Sequence, residues 1–120
     1  MALSITVVSC KKDKEDPTIT VTEPTEHSHF LWGEEVHIHA TFEDDRGLKS
    51  YEAYMGDEDG NMDMSFGFHF SDDLEGVSYA FHEHFVVPDS AMMMRWVHFS
   101  VTDAEDKTAT QKWMLHFDEE

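Results

Sequence analysis

Six of the nine histidines in this 120-residue chain stand in His-x-His pairs: His27-Ser28-His29, His37-Ile38-His39 and His82-Glu83-His84. Side chains alternate faces along an extended backbone. The two imidazoles of a pair therefore share a face, about 6.6 Å apart along the strand, and Glu83 points the other way. Neutral imidazole is a common metal ligand, and two from one strand with a third from a neighbour close three corners of a tetrahedron at about 2.0–2.1 Å. The chemistry open to these residues is the holding of a transition metal. Zinc and copper both suit imidazole, and Met62, Met64, Met92 and Met114 add thioethers, which favour Cu(I). The expected ligands are His37, His39, His82 and His84, with His98 and His116 as a second cluster. His27, His29, His69, Met62, Met64 and Met114 are additional candidates. A ligating imidazole must be neutral, so binding is expected to weaken as pH falls through about 6.5. The competing reading is that alternation sends any polar residue outward, and that methionine fills cores and loops without a ligand role.

The elements that must position these residues have period two, and no window holds a helical repeat for long. Strands are expected over 17–22, 34–42, 48–55, 62–70, 77–87, 95–103 and 109–117, with 27–33 a loop whose Phe30, Leu31 and Trp32 plug one end of a core. In the second of these strands Val36, Ile38, Ala40 and Phe42 share one face, which leaves His37 and His39 on the other. In the fourth, Met62, Met64, Phe66, Phe68 and Phe70 fall on one side. In the last two, Val97, Phe99 and Val101 face inward against Trp113, Leu115 and Phe117. If these two form a hairpin, partners on a common face have numbers with an even sum. Sums of 212 or 214 set the loop on Asp106 or Lys107 and place His98 opposite Met114 or His116. Seven short strands with turn signals about every 8 to 12 residues predict an all-β, two-sheet antiparallel sandwich of immunoglobulin type. In that topology the second and fifth strands are sheet neighbours, which brings His37, His39, His82 and His84 to one outer face.

A chain of this length forms one domain with room for a core. Its formal charge is −18, from 26 acidic and 8 basic residues. With 40 % hydrophobic residues it is expected to fold rather than to be an acidic disordered tail. Nucleic-acid affinity rests on neutralising phosphates with Lys and Arg, so DNA and RNA are poor partners; the same field attracts cations. Three acidic turns, Glu43-Asp44-Asp45, Asp57-Glu58-Asp59 and Asp103-Ala104-Glu105-Asp106, offer hard oxygen ligands for calcium at strand ends, without the EF-hand spacing. The single cysteine, Cys10, follows Leu3-Ser4-Ile5-Thr6-Val7-Val8-Ser9, an apolar run ending in a small residue like a lipoprotein signal. The basic start and longer apolar region of a full signal are missing. The expected organisation is a truncated signal over 1–10 ending at a lipidated Cys10, a charged tether over 11–16 and the sandwich over 17–120. An ordinary apolar N-terminus with a stray cysteine is the alternative. No stretch reaches the roughly 20 apolar residues of a membrane span.

The run Phe81-His82-Glu83-His84-Phe85-Val86-Val87-Pro88-Asp89-Ser90-Ala91, followed by His98-Phe99 and Val101-Thr102-Asp103-Ala104, resembles a family of Bacteroidota lipoproteins that form a domain of unknown function with an Ig-like sandwich. Gly33-Glu34-Glu35-Val36-His37, Phe42-Glu43-Asp44 and Leu48-Lys49-Ser50-Tyr51 fit the same pattern. The resemblance covers roughly 30–110 and implies a sandwich, lipid anchoring and a location in the cell envelope at the outer membrane, with no established activity. It also implies a His-rich segment after Tyr51 and a glycine before the sixth strand. This chain has Met62-Asp63-Met64 and Met92-Met93-Met94 there.

The functional expectation is a lipid-anchored envelope protein that binds zinc or copper as a carrier, store or sensor. A non-catalytic module presenting Trp32 and Met92-Met93-Met94 to an envelope protein or glycan is the alternative. A copper-zinc dismutase also carries His-x-His on a sandwich strand, but the expected glycines and paired cysteines are absent. No nucleophile elbow or phosphate loop is present, so an enzyme is not expected. With Cys10 lipidated no thiolate remains, which excludes blue-copper, iron–sulfur and Cys-zinc sites.

Overall fold

Alternating apolar residues commit the chain to strands, and burying those residues requires two sheets face to face. The structure, a computed structural model, describes residues 16–119. The signal and lipidation expected at Cys10, and all but the last residue of the tether, lie outside the described residues. Eight strands form: β1 Thr18–Glu23, β2 His29–Leu31, β3 Glu35–Glu43, β4 Leu48–Gly56, β5 His69–Asp73, β6 Ser78–Val86, β7 Met94–Asp103 and β8 Thr108–Asp118. They make a three-stranded sheet, β1-β3-β6, and a five-stranded sheet, β2-β8-β7-β4-β5. This is the expected Ig-like sandwich.

The core follows the parity of the sequence. Val36, Ile38, Ala40 and Phe42 of β3 and Phe81 and Phe85 of β6 are buried against Val97, Phe99 and Val101 of β7 and Leu115 and Phe117 of β8. Phe81 meets Phe99 edge to face at 5.8 Å, which locks the two sheets together through complementary ring edges and faces. Trp113 is only partly buried, its indole N–H donating to the Pro24 carbonyl at 2.8 Å. Glu83 lies among the inward positions of β6, opposite Ile38. A charge turned inward on an edge strand discourages a further strand from adding there.

Three expectations are corrected. The segment 27–33 is not only loop: His29–Leu31 pairs in parallel with β8 and adds an eighth strand. Parallel pairing across 87 positions (29 to 116) leaves no local signature. The strand expected over 62–70 begins only at His69. Before it, Asp63 caps a 3-10 turn, Met64–Phe66, by accepting from Ser65 N–H, and Gly67 closes the turn at φ 63°. Met62 and Met64 are therefore exposed while Phe66 and Phe68 are buried, instead of all lying on one side. Finally, the β7–β8 ladder pairs His98 with Lys112 and Thr102 with Thr108, a sum of 210. The even parity holds, but the loop is shorter than expected. Asp106 at φ 65° lets the chain turn in the three residues between Asp103 and Lys107, where Asp103 N–H donates to the Lys107 carbonyl at 2.9 Å and the Asp103 carboxylate accepts from the N–H groups of Glu105 and Lys107.

Candidate metal centre

Strand β3 lies at the centre of the three-stranded sheet, and β6 pairs with it over nine residues without a bulge, His37 opposite His84 and His39 opposite His82. Because both strands keep their parity, the four imidazoles form one outward patch. His39 stacks on His82 at 3.8 Å between ring centroids, and His37 lies 5.3 Å from both His82 and His84. His37 Nδ1 and His82 Nε2 are 3.1 Å apart, a hydrogen bond in which one ring donates and the other accepts. If His37 donates from Nδ1, its Nε2 lone pair is left for a ligand, the orientation that outer partners impose on metal-bound histidine.

Two carboxylates complete the patch. Glu35, two residues before His37 and so on the same face, brings Oε2 to 3.6 Å from His37 Nε2 and 3.7 Å from His84 Nε2. On the other flank Glu23 of β1 brings Oε1 to 3.5 Å from His39 Nε2. Ligands at about 2.0–2.1 Å around a tetrahedral ion stand roughly 3.3–3.4 Å apart, so Glu35 and its two imidazoles are a few tenths of an ångström wider than a zinc shell. Among the described residues no three His, Cys, Asp or Glu groups already stand in ligand geometry. An ion would have to draw these half-exposed side chains inward by small rotations. Beside the patch an open cavity of ≈ 460 Å³ is lined in part by Glu23, Glu35 and His37. The two glutamates were absent from the ligands expected from the sequence, although the alternation that put His37 and His39 outward also put Glu35 there.

The remaining candidates divide. His98 and His116 do not form a cluster, as the shorter hairpin loop separates them. His116 instead stacks on His29 at 4.4 Å, with His27 at 6.0 Å, while His29 Nδ1 is 3.1 Å from Asp118 Oδ2. The parallel β2–β8 pairing brings these histidines together. His98 is consumed by the fold: Nε2 donates to the Asp57 carbonyl at 2.6 Å and the ring stacks on Tyr54 at 5.1 Å. His69 Nε2 contacts Glu52 Oε2 at 2.9 Å. Met62 bridges Gly56 of the five-stranded sheet, and Met114 lies opposite Trp96 in that same sheet. Neither stands in a strand of the histidine face.

The acidic turns also separate. In the 57–61 loop Asp57 spends both oxygens internally, accepting from the N–H groups of Asp59 and Asn61 and from the Asn61 amide. Hydrogen bonds from Asn61, side chain first, hold its carboxyl below the usual range. Tyr54 and Lys112 donate to the carbonyls of Gly60 and Glu58, so three side chains of the five-stranded sheet, counting His98, bind this loop across its outer face. A Cβ on Gly56 would come within 2.4 Å of the Asn61 carbonyl oxygen, which makes glycine a requirement for that approach.

Known proteins place this architecture but not its chemistry. The chain is similar to fibronectin(III)-like modules of Clostridium thermocellum CbhA at 16 % identity and TM-score 0.55, over 87 % of this chain and 47 % of that one. It is similar to the periplasmic chaperone SfaE at 14 % identity and TM-score 0.60, over 86 % and 58 %. It is similar also to OgpA from Akkermansia muciniphila, solved with an O-glycopeptide substrate, at 13 % identity and TM-score 0.54, over 86 % and 29 %. The chain spans 47 %, 58 % and 29 % of the length of these three solved chains, and at these identities the likeness is one of fold. No curated protein matches it. The model of the Domain of unknown function (DUF4625) matches residues 8–115, nearly the whole sequence, and the chain belongs to that family.

Proposed function

We propose that this protein binds a transition metal, zinc or copper, on the histidine face of its three-stranded sheet, as a carrier, store or sensor. The observation that carries the reading is the convergence of His37 Nε2 and His84 Nε2 on one oxygen of Glu35, at 3.6 and 3.7 Å. When both Nε2 atoms offer lone pairs, the state that metal ligation requires, they repel the carboxylate. A cation among the three turns that repulsion into attraction, and the −18 charge of the chain favours its capture. His82 and His39 serve behind this group, His82 by fixing the His37 tautomer through the 3.1 Å contact. Anchoring through a lipidated Cys10 at the envelope is part of the proposal. It rests on the apolar run before that cysteine and is tested by the mass of the mature N-terminus.

Calorimetric titration of the metal-free protein with Zn²⁺ and Cu²⁺ tests the site. Removing second-layer partners alone costs about 10–100-fold in affinity, so His37→Ala with His84→Ala should cost at least about 100-fold at one equivalent. Unchanged affinity in the double variant would remove the histidine face from the site.

A second reading is supported at one end of the sandwich. Leu31, Val86, Met92, Met93 and Met94 are between 42 and 67 % exposed. The ladder contacts Leu31 to Asp118, Met94 to His116 and Phe117 N–H to the Met93 carbonyl gather Leu31, Met93 and Met94 at the end of β8. Exposed apolar groups gathered in this way are a surface for an envelope protein partner. Loss of partner capture on Met93→Ser with Leu31→Ser, with zinc affinity intact, would favour it.

A further inference from the structure

Asp44, at the turn after β3, and Asp103, at the end of β7, are 6 % and 1 % exposed, the two charged residues within the buried set. Each uses one oxygen to cap its own turn. Asp44 Oδ2 accepts from Arg46 N–H at 2.9 Å, and Asp103 Oδ1 accepts from Glu105 and Lys107 N–H at 2.9 and 2.8 Å. The other oxygen of each, Asp44 Oδ1 and Asp103 Oδ2, is buried without a hydrogen-bond partner. The two turns lie side by side, Leu48 pairing with Asp103 and Ala104 N–H donating to the Gly47 carbonyl at 2.9 Å, and the charge of Asp103 is among the causes that raise the Asp44 carboxyl. Burying an unpaired charge is costly, and burying two side by side more so. Turn capping does not account for this, since asparagine would supply the same acceptor oxygen without a charge.

Asp44 also lines a cavity of ≈ 290 Å³ together with Asp16, Thr18, Glu43, Asp45 and Val77. Three further carboxylates thus line that cavity with Asp44, and an ion would have to draw these groups together, since no three already stand in ligand geometry among the described residues. We infer that Asp44 and Asp103 form the floor of a divalent-cation site of the calcium class, with Asp16, Glu43 and Asp45 at its mouth. All the donors are oxygens, which suits a hard ion with six to eight ligands and not the softer metals that imidazole and thioether select. The ion would tie the β3–β4 turn to the β7–β8 turn and place positive charge beside the two buried carboxylates. This site shares no residue with the histidine face and does not depend on it.

The test is the melting temperature of the full chain at neutral pH, stripped with chelator and then titrated with CaCl₂. Calcium should raise the midpoint by several degrees and saturate, because an ion that binds only the folded state stabilises it by mass action. Asp44→Asn keeps the capping oxygen and should abolish the rise. Asp103→Asn should do the same, and if it does not fold, Asp44→Asn carries the test alone. His37→Ala with His84→Ala should leave the calcium response intact, so failure of one site is distinguishable from failure of the other. A midpoint indifferent to calcium would overturn the inference. An equal rise in wild type and Asp44→Asn would overturn it too, by placing the ion elsewhere.

Discussion

His39 and His98 hold matching positions, each outward on the central strand of its sheet, and their fates differ because their cross-strand neighbours differ. His39 lies between His82 of β6 and Glu23 of β1. His98 lies between Tyr54 of β4 and Lys112 of β8. On the three-stranded sheet imidazoles neighbour imidazoles and carboxylates, so ring nitrogens are left facing groups that a cation could join. On the five-stranded sheet the ring stacks on a phenol and its nitrogen is spent on a loop carbonyl. An outward histidine is thus a ligand or a structural donor according to the residues beside it in the ladder, which the strand's own sequence does not contain.

The largest effect expected from this comparison comes from the residue beside the patch that faces inward. Phe81 is 1 % exposed and touches rings of both sheets, so Phe81→Ala should cost about 3–5 kcal/mol in chemical denaturation. His82→Ala, one residue on and outward, should change stability by no more than about 0.5 kcal/mol, as surface substitutions do, while weakening metal binding. Comparable stability losses in the two variants would break the assignment of faces.

A smaller effect separates the two sheets directly. His98→Ala removes a part-buried hydrogen bond to the Asp57 carbonyl and should cost about 1 kcal/mol, with zinc and copper affinity unchanged. The outward residues of the three-stranded sheet should behave the opposite way, losing metal and little stability. A drop in metal affinity for His98→Ala would mean that the five-stranded sheet also contributes ligands.

Parity was legible in the sequence. The alternation of Val36, Ile38, Ala40 and Phe42 against His37 and His39, and of Phe81 and Phe85 against His82 and His84, predicted both the core and the shared face of the four imidazoles, because one residue of slip would have exposed every apolar group. What depended on turns was not legible. Asp-Ala-Glu-Asp-Lys is compatible with more than one loop length, and only the left-handed Asp106 and the capping by Asp103 select the shorter one, which sends His98 to Lys112. The Asp63 cap and Gly67 broke the expected strand over 62–70 in the same way. Pairing of His29 with His116 in parallel, and the burial of Asp44 and Asp103 in adjoining turns, join distant parts of the chain for which period and composition carry no signal.

The smallest effect carries the partnered-versus-unpartnered contrast over to the carboxylates. Burial pushes Asp63 up, but the Ser65 hydroxyl and N–H and the Arg95 guanidinium, 3.0 Å away, outweigh it and hold the carboxyl below its usual range. Asp63 therefore contributes stability that is present above the unfolded value of 3.8 and is lost as pH falls through the lowered folded value. Asp44 has the opposite sign. Burial first, against the Arg46 N–H, and then the charge of Asp103 raise its carboxyl above 3.8, so its ionised form costs stability at neutral pH and that cost disappears as pH falls through the raised value. In calcium-free buffer Asp44→Asn should thus be more stable than wild type at pH 7, with the gap closing as pH falls towards 4. Denaturant titrations across that range measure it, and adding calcium at pH 7 should close the gap from the other side by stabilising only the wild type. A gap that stays constant with pH would show that Asp44 bears no uncompensated charge when folded, and with it the reason for an ion at that turn would go.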